Sequence, residues 1–215
     1  TILVSLSSVC LGLLIGVVLA SFKLSKSRIL KLIAEVYTTV VRGVPELLVI
    51  YLLFFGGSSA VMYFAKMFGY DGYIELNAFT IGTFAVGAIS GAYSTEVIRG
   101  AILAVPKGQF EAGETLGMSK FQMNLRVIFP QVARLALPGI GNVWQITLKD
   151  TSLISVTALV EIMRQAKVAA ASEHEPFVFY TTAIILYLLI TTGSNKFFNK
   201  AEKKFSKGFV IEESA

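Results

Sequence analysis

Asp150 is a carboxylate inside an otherwise apolar run, and a charge in that setting demands an account. Counted from the start of the run at Pro138, it lies roughly 18 Å along a helix that rises ~1.5 Å per residue. That is near the middle of a ~30 Å hydrocarbon layer. A charge there costs at least ~2.5 kcal/mol, so it needs a partner or a water-filled cavity. Lys149 is adjacent in the chain, but neighbours on a helix point about 100° apart. Asn142, Gln145, Lys149 and Ser152 recur at three- and four-residue spacing and share one face, with Thr147 and Thr151 on a neighbouring stripe. A polar stripe on an apolar helix faces a cavity or another protein helix. Two readings stand side by side. The stripe lines a path across the membrane, with Asp150 meeting a cationic group, or Lys149 and Asp150 form a network that holds helices together.

Other polar residues inside apolar runs divide in the same way. Glu96 and Arg99 stand at i and i+3, the spacing of an ion pair within one helix. Arg42 and Glu46 are at i and i+4 with Pro45 between them, which points to a broken helix of the kind that surrounds ligands in membrane carriers. Trp144 reads as packing, Tyr93 as packing or contact, and His174 as a solvated residue or a rim contact. With one His and one Cys, the chain offers neither a catalytic triad nor a zinc site. It has no Gly-x-x-x-x-Gly-Lys-Ser/Thr phosphate loop and no Gly-Lys pair, so it is not expected to be an ATPase by that route or an enzyme of its own. Cys10 falls in an apolar run and reads as a small buried hydrophobe.

The elements that must position these residues are membrane helices. The chain has 215 residues, 54% hydrophobic and 15% charged, with a mean hydropathy of +0.69. Soluble domains carry about 25% charged residues, so this much apolar surface suits lipid. The net charge of +5 invites a nucleic-acid reading, but the Lys and Arg fall between apolar runs, as membrane loops require. Five runs of spanning length are expected at 2–22, 37–57, 79–98, 138–160 and 177–198. Lys23, Lys26, Arg28 and Lys31 follow the first run, and Arg99, Lys107, Lys120, Arg126 and Arg134 the third. Lys196, Lys200, Lys203, Lys204 and Lys207 accompany the fifth. The remaining loops are mixed, with Asp71, Glu75, Glu173 and Glu175 beside Lys66, Arg164 and Lys167. The N-terminus is therefore expected outside and the C-terminus in the cytoplasm, with Glu212 and Glu213 in a solvated tail. The first run opens at once after Thr1 with no charged segment of a cleavable signal, and native residues upstream of Thr1 are expected.

The cytoplasmic loop 105–137 is too polar to span and too patterned for a linker. Residues 109–116 read as a short helix, and Gly117 follows where a helix end favours positive φ. Ser119-Lys120-Phe121-Gln122 is a capping box opening a second helix, which Pro130 is expected to end. Phe110, Leu116, Met118, Phe121 and Leu125 give the hairpin an apolar aspect. On physical grounds it is either an amphipathic element on lipid headgroups or a protein-docking element.

The residues of this loop carry a resemblance. Glu111-Ala112-Gly113, three residues, Gly117, nine residues, then Val127-Ile128-Phe129-Pro130 is similar to the "EAA" loop of bacterial ATP-binding-cassette importer permeases. The family's pattern has Ala, Ile and Leu where this chain has Gly113, Val127 and Phe129, with spacing intact. Arg42-Gly43-Val44-Pro45-Glu46-Leu47, the segment 91–100, the segment 105–109 and Leu148-Lys149-Asp150-Thr151-Ser152-Leu153 also resemble family segments, so nearly the whole chain is covered. Pro138-Gly139-Ile140-Gly141-Asn142 with Trp144-Gln145, and Glu175-Pro176-Phe177 later, look most like the histidine/basic amino-acid and opine branch.

The resemblance implies an all-α integral membrane protein with the type I importer fold, in the bacterial inner membrane. It implies two related permease subunits paired as a heterodimer on a cytoplasmic ATPase dimer, which uses ATP and magnesium while this chain binds no cofactor. It also implies a periplasmic or extracellular binding protein that delivers a polar amino acid: a basic one, glutamine or an opine. Glu111, Ala112, Gly113, Leu116 and Gly117 become the expected coupling residues. Asp150, Lys149, Thr151, Ser152, Gln145, Asn142 and Glu46 become the expected substrate path. A passive channel or scaffold with a surface helix explains the spans but leaves the loop match unexplained.

Overall fold

The computed structural model describes residues 1–70, 72, 77–157 and 159–205. Asp71, Glu75, Lys207, Glu212 and Glu213, used above for orientation, lie outside the described residues. Every regular element described is a helix.

The frame is a pair of helices, α1 (Ile2–Leu24) and α5 (Ala78–Leu103), packed along most of their lengths. Small residues let the two backbones meet. A Cβ added to Gly12 would stand 2.6 Å from Ser90 Oγ, and one on Gly16 would stand 2.7 Å from Ser94 Cβ. From the other side, a Cβ on Gly87 would strike Leu11 and one on Gly91 would strike Ile15. Lipid tails are as apolar as leucine, so close van der Waals packing, rather than hydrophobic gain, holds such helices together. Three helices are long and apolar enough to cross a membrane: Ile2–Leu24, Glu46–Met67 and Pro176–Phe205. α5 is less apolar because its neighbours are protein. Ala85, Val86, Ile89, Ser90, Ser94 and Thr95 are all buried. Cys10, expected inside, is exposed on α1; an outward position in lipid is as apolar as a core.

The second expected span, 37–57, is divided. α2 (Arg28–Gly43) ends before Val44, whose φ of −113° and ψ of 153° are the extended conformation that a following proline imposes. A continuous helix then starts at Glu46, made of α3 (Glu46–Tyr51), a π-helical turn at Leu52–Gly56 and α4 (Gly57–Met67). α2 has three faces. Ala34 and Thr38 are buried, Ile29, Leu32, Ile33, Val36 and Val40 are exposed apolar residues, and Arg28, Lys31, Glu35, Thr39 and Arg42 form the polar face.

After α5 come α6 (Lys107–Thr115) and α7 (Lys120–Met123). Pro130 does not end the second surface helix, contrary to the expectation above. A π-helical turn at Asn124–Ile128 runs from α7 into α8 (Phe129–Asp150), and Pro130 sits in the first turn of α8. A proline is tolerated there because its missing N–H has no required partner. Pro138 lies within α8, so the helix starts well before the expected span at 138. A 3₁₀ segment Thr151–Thr157 follows, then α9 (Ile162–Glu173), where only a loop was expected, and α10 (Pro176–Phe205).

α9 is anchored by Glu161, which is 4% exposed. Its carboxylate accepts from the backbone N–H groups of Met163 and Arg164 and from the hydroxyls of Thr1 and Tyr187. Four donors on one buried carboxylate tie the start of α9 to α1 and α10.

Candidate functional site

The surface hairpin is built by local rules. α6 closes with Gly117 at φ +70°, a left-handed residue that glycine adopts without Cβ strain. The Gly117 N–H bonds Glu114 O and the Met118 N–H bonds Gly113 O, each at 3.0 Å. Those two bonds are the Schellman closure. Ser119 and Gln122 then form the reciprocal capping box at the start of α7. Inside the hairpin, Val105, Met123 and Ile128 make a small core with Phe110 and Met118 packed against it. Gly113 is buried against Met123, where an added Cβ would lie 2.8 Å from the sulfur. The expected apolar aspect therefore splits. Phe110 and Met118 turn inward, whereas Leu116 is 79%, Phe121 74% and Leu125 55% exposed. Glu111, Ala112 and Gly117 share the exposed tip with Leu116.

The expected path residues fall into separate places. Glu46 and Asp150 come together, although they are far apart in the chain. Asp150 lies within electrostatic reach of Glu46 and Lys149. Its Oδ2 is buried with no hydrogen-bond partner. Tyr93 joins this cluster from α5, donating its hydroxyl to Glu46 Oε1 at 3.1 Å. The Arg42 guanidinium lies 5.5 Å from the Tyr93 ring centroid. Gln145, Lys149 and Ser152 share a different wall, a groove of about 550 Å³ between α8 and α10 that also takes in Tyr180 and Tyr187. Gln145 donates to Asn195 of α10. No ion pair joins Lys149 to Asp150 among the described residues, so the network reading of that pair is not what the structure shows. Thr151 is fully buried; its hydroxyl bonds Leu148 O at 2.7 Å and lies beside the hydroxyl of Tyr187, behind the groove. Asn142 is exposed nearer the loop end of α8.

A third group closes the loop end of α1, α2 and α5. The Lys23 side chain is 7% exposed and pairs with Glu96 and, at 3.2 Å, with Glu35. Arg99 forms the expected pair with Glu96 at 2.9 Å through two hydrogen bonds. These charges line a cleft of about 500 Å³ that reaches Arg42 and Gly43. Sequence reasoning missed Lys23 and Glu35 as partners, because their spacing carries no helical period. It also missed Tyr93 as a neighbour of Glu46 and Asp150, and Arg42 as a neighbour of Tyr93. The available signal was the charge of Arg42 within an apolar run.

Comparison with known proteins places this architecture. The family model described as "Binding-protein-dependent transport system inner membrane component" matches residues 12–204. The nopaline transport system permease of Agrobacterium fabrum is 53% identical over 97% of this chain and 89% of its own length. The histidine/lysine/arginine/ornithine transport system permease of Salmonella typhimurium is 42% identical over 97% of this chain and 91% of its own. The crystal structure of an amino acid ABC transporter with histidines superposes with a TM-score of 0.78 at 31% identity, covering 94% of this chain and 88% of that one. The chain, with its all-helical type I importer fold, belongs to the family of inner membrane components of binding-protein-dependent transport systems.

Proposed function

We propose that this chain is one of two related permease subunits, paired as a heterodimer, that carry a basic amino acid into the cytoplasm. A partner ATPase dimer drives the cycle with ATP and magnesium, and an external binding protein delivers the cargo. The N-terminus lies outside and the C-terminus inside, as the Lys and Arg of the loops favour. The hairpin tip at Glu111, Ala112, Leu116 and Gly117 docks into the ATPase, and Gly113 fixes its inner face on Met123. Closure of the ATPase moves the tip, and the spans rock between outward- and inward-open states.

The observation that carries the cargo reading is the meeting of Glu46 and Asp150 at a helix break, with one carboxylate oxygen of Asp150 buried and unpartnered. An unpaired buried charge is costly, and a cationic group arriving there gains what the site lacks. Likeness to the histidine/lysine/arginine/ornithine permease supports the same cargo. A second reading, an opine, is favoured by identities of 53% and 49% to nopaline and octopine permeases.

The test is uptake into liposomes holding this chain, its paired permease and the ATPase, with binding protein outside and ATP inside. ATP-dependent accumulation of labelled arginine or histidine is expected. Accumulation of octopine alone moves the cargo to the opines, and glutamine alone removes the cationic reading. Equilibration without ATP overturns the importer itself.

A further inference from the structure

α10 is longer than a membrane requires. Its 30 residues, Pro176–Phe205, extend ~45 Å at ~1.5 Å per residue, against a hydrocarbon layer of ~30 Å. About ten residues therefore stand beyond the hydrocarbon. The apolar run through Ile190 gives way to Thr191-Thr192-Gly193-Ser194-Asn195, so the excess is the last stretch, 196–205. That end lies on the hairpin side of the bundle. Gln145 donates to Asn195, and a Cβ on Gly141 would stand 3.2 Å from the Phe198 ring. α10 thus runs antiparallel to α8, toward the end at which α8 leaves the hairpin.

Lys196, Lys200, Lys203 and Lys204 fall within about 100° of the helix circumference. All four are exposed, and none takes part in an ion pair among the described residues. Asn195 and Phe198 face α8, nearly opposite the lysines. Glu202, the acidic residue of this stretch, lies on the α8 side as well. Phe197 borders the stripe and is 69% exposed. Orientation in the membrane asks only that cations gather on one side of it, not on one face of a helix. Four lysines on the face turned away from the bundle, with the acid behind them, fit a partner of opposite charge outside the bundle.

We propose that this stripe is a binding surface for the headgroups of anionic phospholipids in the leaflet on the hairpin side. Lysine stems lie along apolar surface while their ammonium groups reach to headgroup level, and an exposed aromatic ring beside them suits the same boundary. Side chains at three- and four-residue spacing are neighbours, so one phosphate meets more than one ammonium group. A zwitterionic headgroup offsets its phosphate with its own cation and gains less. Lipid held here fixes the end of α10 at the interface and, through Asn195 and Phe198, braces α8. Cargo plays no part in this surface, which lies apart from the helix break.

The test uses the complex of this chain with its paired permease and ATPase, in vesicles of equal parts phosphatidylcholine and phosphatidylglycerol. A benzophenone side chain replaces the Phe197 ring, and light joins it to whatever lies against the stripe. The lipid joined is read from the mass of the chain. At low salt phosphatidylglycerol is expected to exceed phosphatidylcholine about fivefold, the weight of one lysine beside an anionic surface. Lys196→Gln, Lys200→Gln, Lys203→Gln and Lys204→Gln together are expected to return the ratio to that of the vesicle. Arginine at the same four positions keeps the charge and is expected to keep the preference. In about 1 M salt, where the screening length is ~3 Å, the wild-type preference is expected to vanish, and this comparison decides the matter if the glutamine variant does not assemble. A wild-type ratio equal to that of the vesicle overturns the proposal. So does a preference that survives the four glutamines, or survives salt where that variant is lost. Joining to protein alone overturns it too, since a subunit would then cover the stripe.

Discussion

The surface hairpin and the cluster at the helix break treat polar groups in opposite ways. In the hairpin, the polar groups of the turn bond to near neighbours: Gly117 to Glu114, Met118 to Gly113, and Ser119 with Gln122. Among its exposed charged residues it also leaves large apolar side chains open to solvent, with Leu116 and Phe121 more than 70% exposed. In the cluster, set at the break of a spanning helix, polar groups remain unsatisfied. Asp150 Oδ2 has no partner, and Arg42 has only a ring. A buried polar atom without a partner, as Asp150 Oδ2 is, costs free energy. The hairpin is a finished solid with an adhesive surface, suited to transmitting a push. The cluster is unfinished until something enters it.

The comparison breaks most sharply at Asp150. Asp150→Ala removes an unpaired charge, so helix packing is expected to survive while cargo recognition is lost. Arginine uptake in the liposome assay is expected to fall about a hundredfold, the scale of truncating one partner of a desolvated charge pair. Assembly with the ATPase and basal ATP hydrolysis should remain. Uptake near the wild-type level would mean that Asp150 is not part of the path, and the contrast with the hairpin would lose its functional side.

Gly117→Val attacks the other region. A β-branched residue at φ +70° costs on the order of 1–2 kcal/mol, and the Schellman closure opens to relieve it. Uptake is expected to fall about tenfold while ATP hydrolysis continues, because the push no longer reaches the spans. Binding of arginine to the nucleotide-free complex should not change, which separates this defect from that of Asp150→Ala. Normal uptake by Gly117→Val would remove the hairpin from the coupling route.

The two regions were unequally legible in the sequence. The hairpin's determinants lie within about a dozen residues, and capping and turn rules act at that range. The helix, the glycine turn and the capping box could all be read from residues 109–122. The run-on past Pro130 could not, because the π-helical turn Asn124–Ile128 is set by packing of Ile128 and Met123 rather than by propensity. The cluster draws on Arg42, Glu46, Tyr93 and Asp150, brought together from three distant stretches of chain. Residue type marked Glu46 and Asp150 as out of place in lipid, but no local rule states which helices face each other. The same limit hid α9, whose start depends on Glu161 receiving donors from Thr1 and Tyr187, at opposite ends of the chain's membrane region. Hydropathy also misplaced the second span, since it counts apolar residues through Val44 and Pro45 and is blind to the break they cause.

The finest test of the contrast is Gly113→Ala, for which the expected change is small. The new Cβ would meet Met123 Sδ at 2.8 Å and Cγ at 3.0 Å, both on a flexible side chain rather than on backbone. A methionine tail re-rotates at little cost, and alanine is favoured over glycine within a helix by up to ~1 kcal/mol. The two effects oppose each other, and uptake is expected to stay within about twofold of the wild type, measured alongside thermal unfolding of the assembled complex. Gly113→Ala paired with Met123→Ala removes the crowding and keeps the helical gain, but opens a void beside Val105 and Ile128. The double variant is therefore expected to unfold at a lower temperature than Gly113→Ala. If Gly113→Ala alone uncouples hydrolysis from uptake, sub-ångström shifts in the hairpin reach the spans, and the hairpin's inner face is tuned as closely as the charged cluster rather than merely filled.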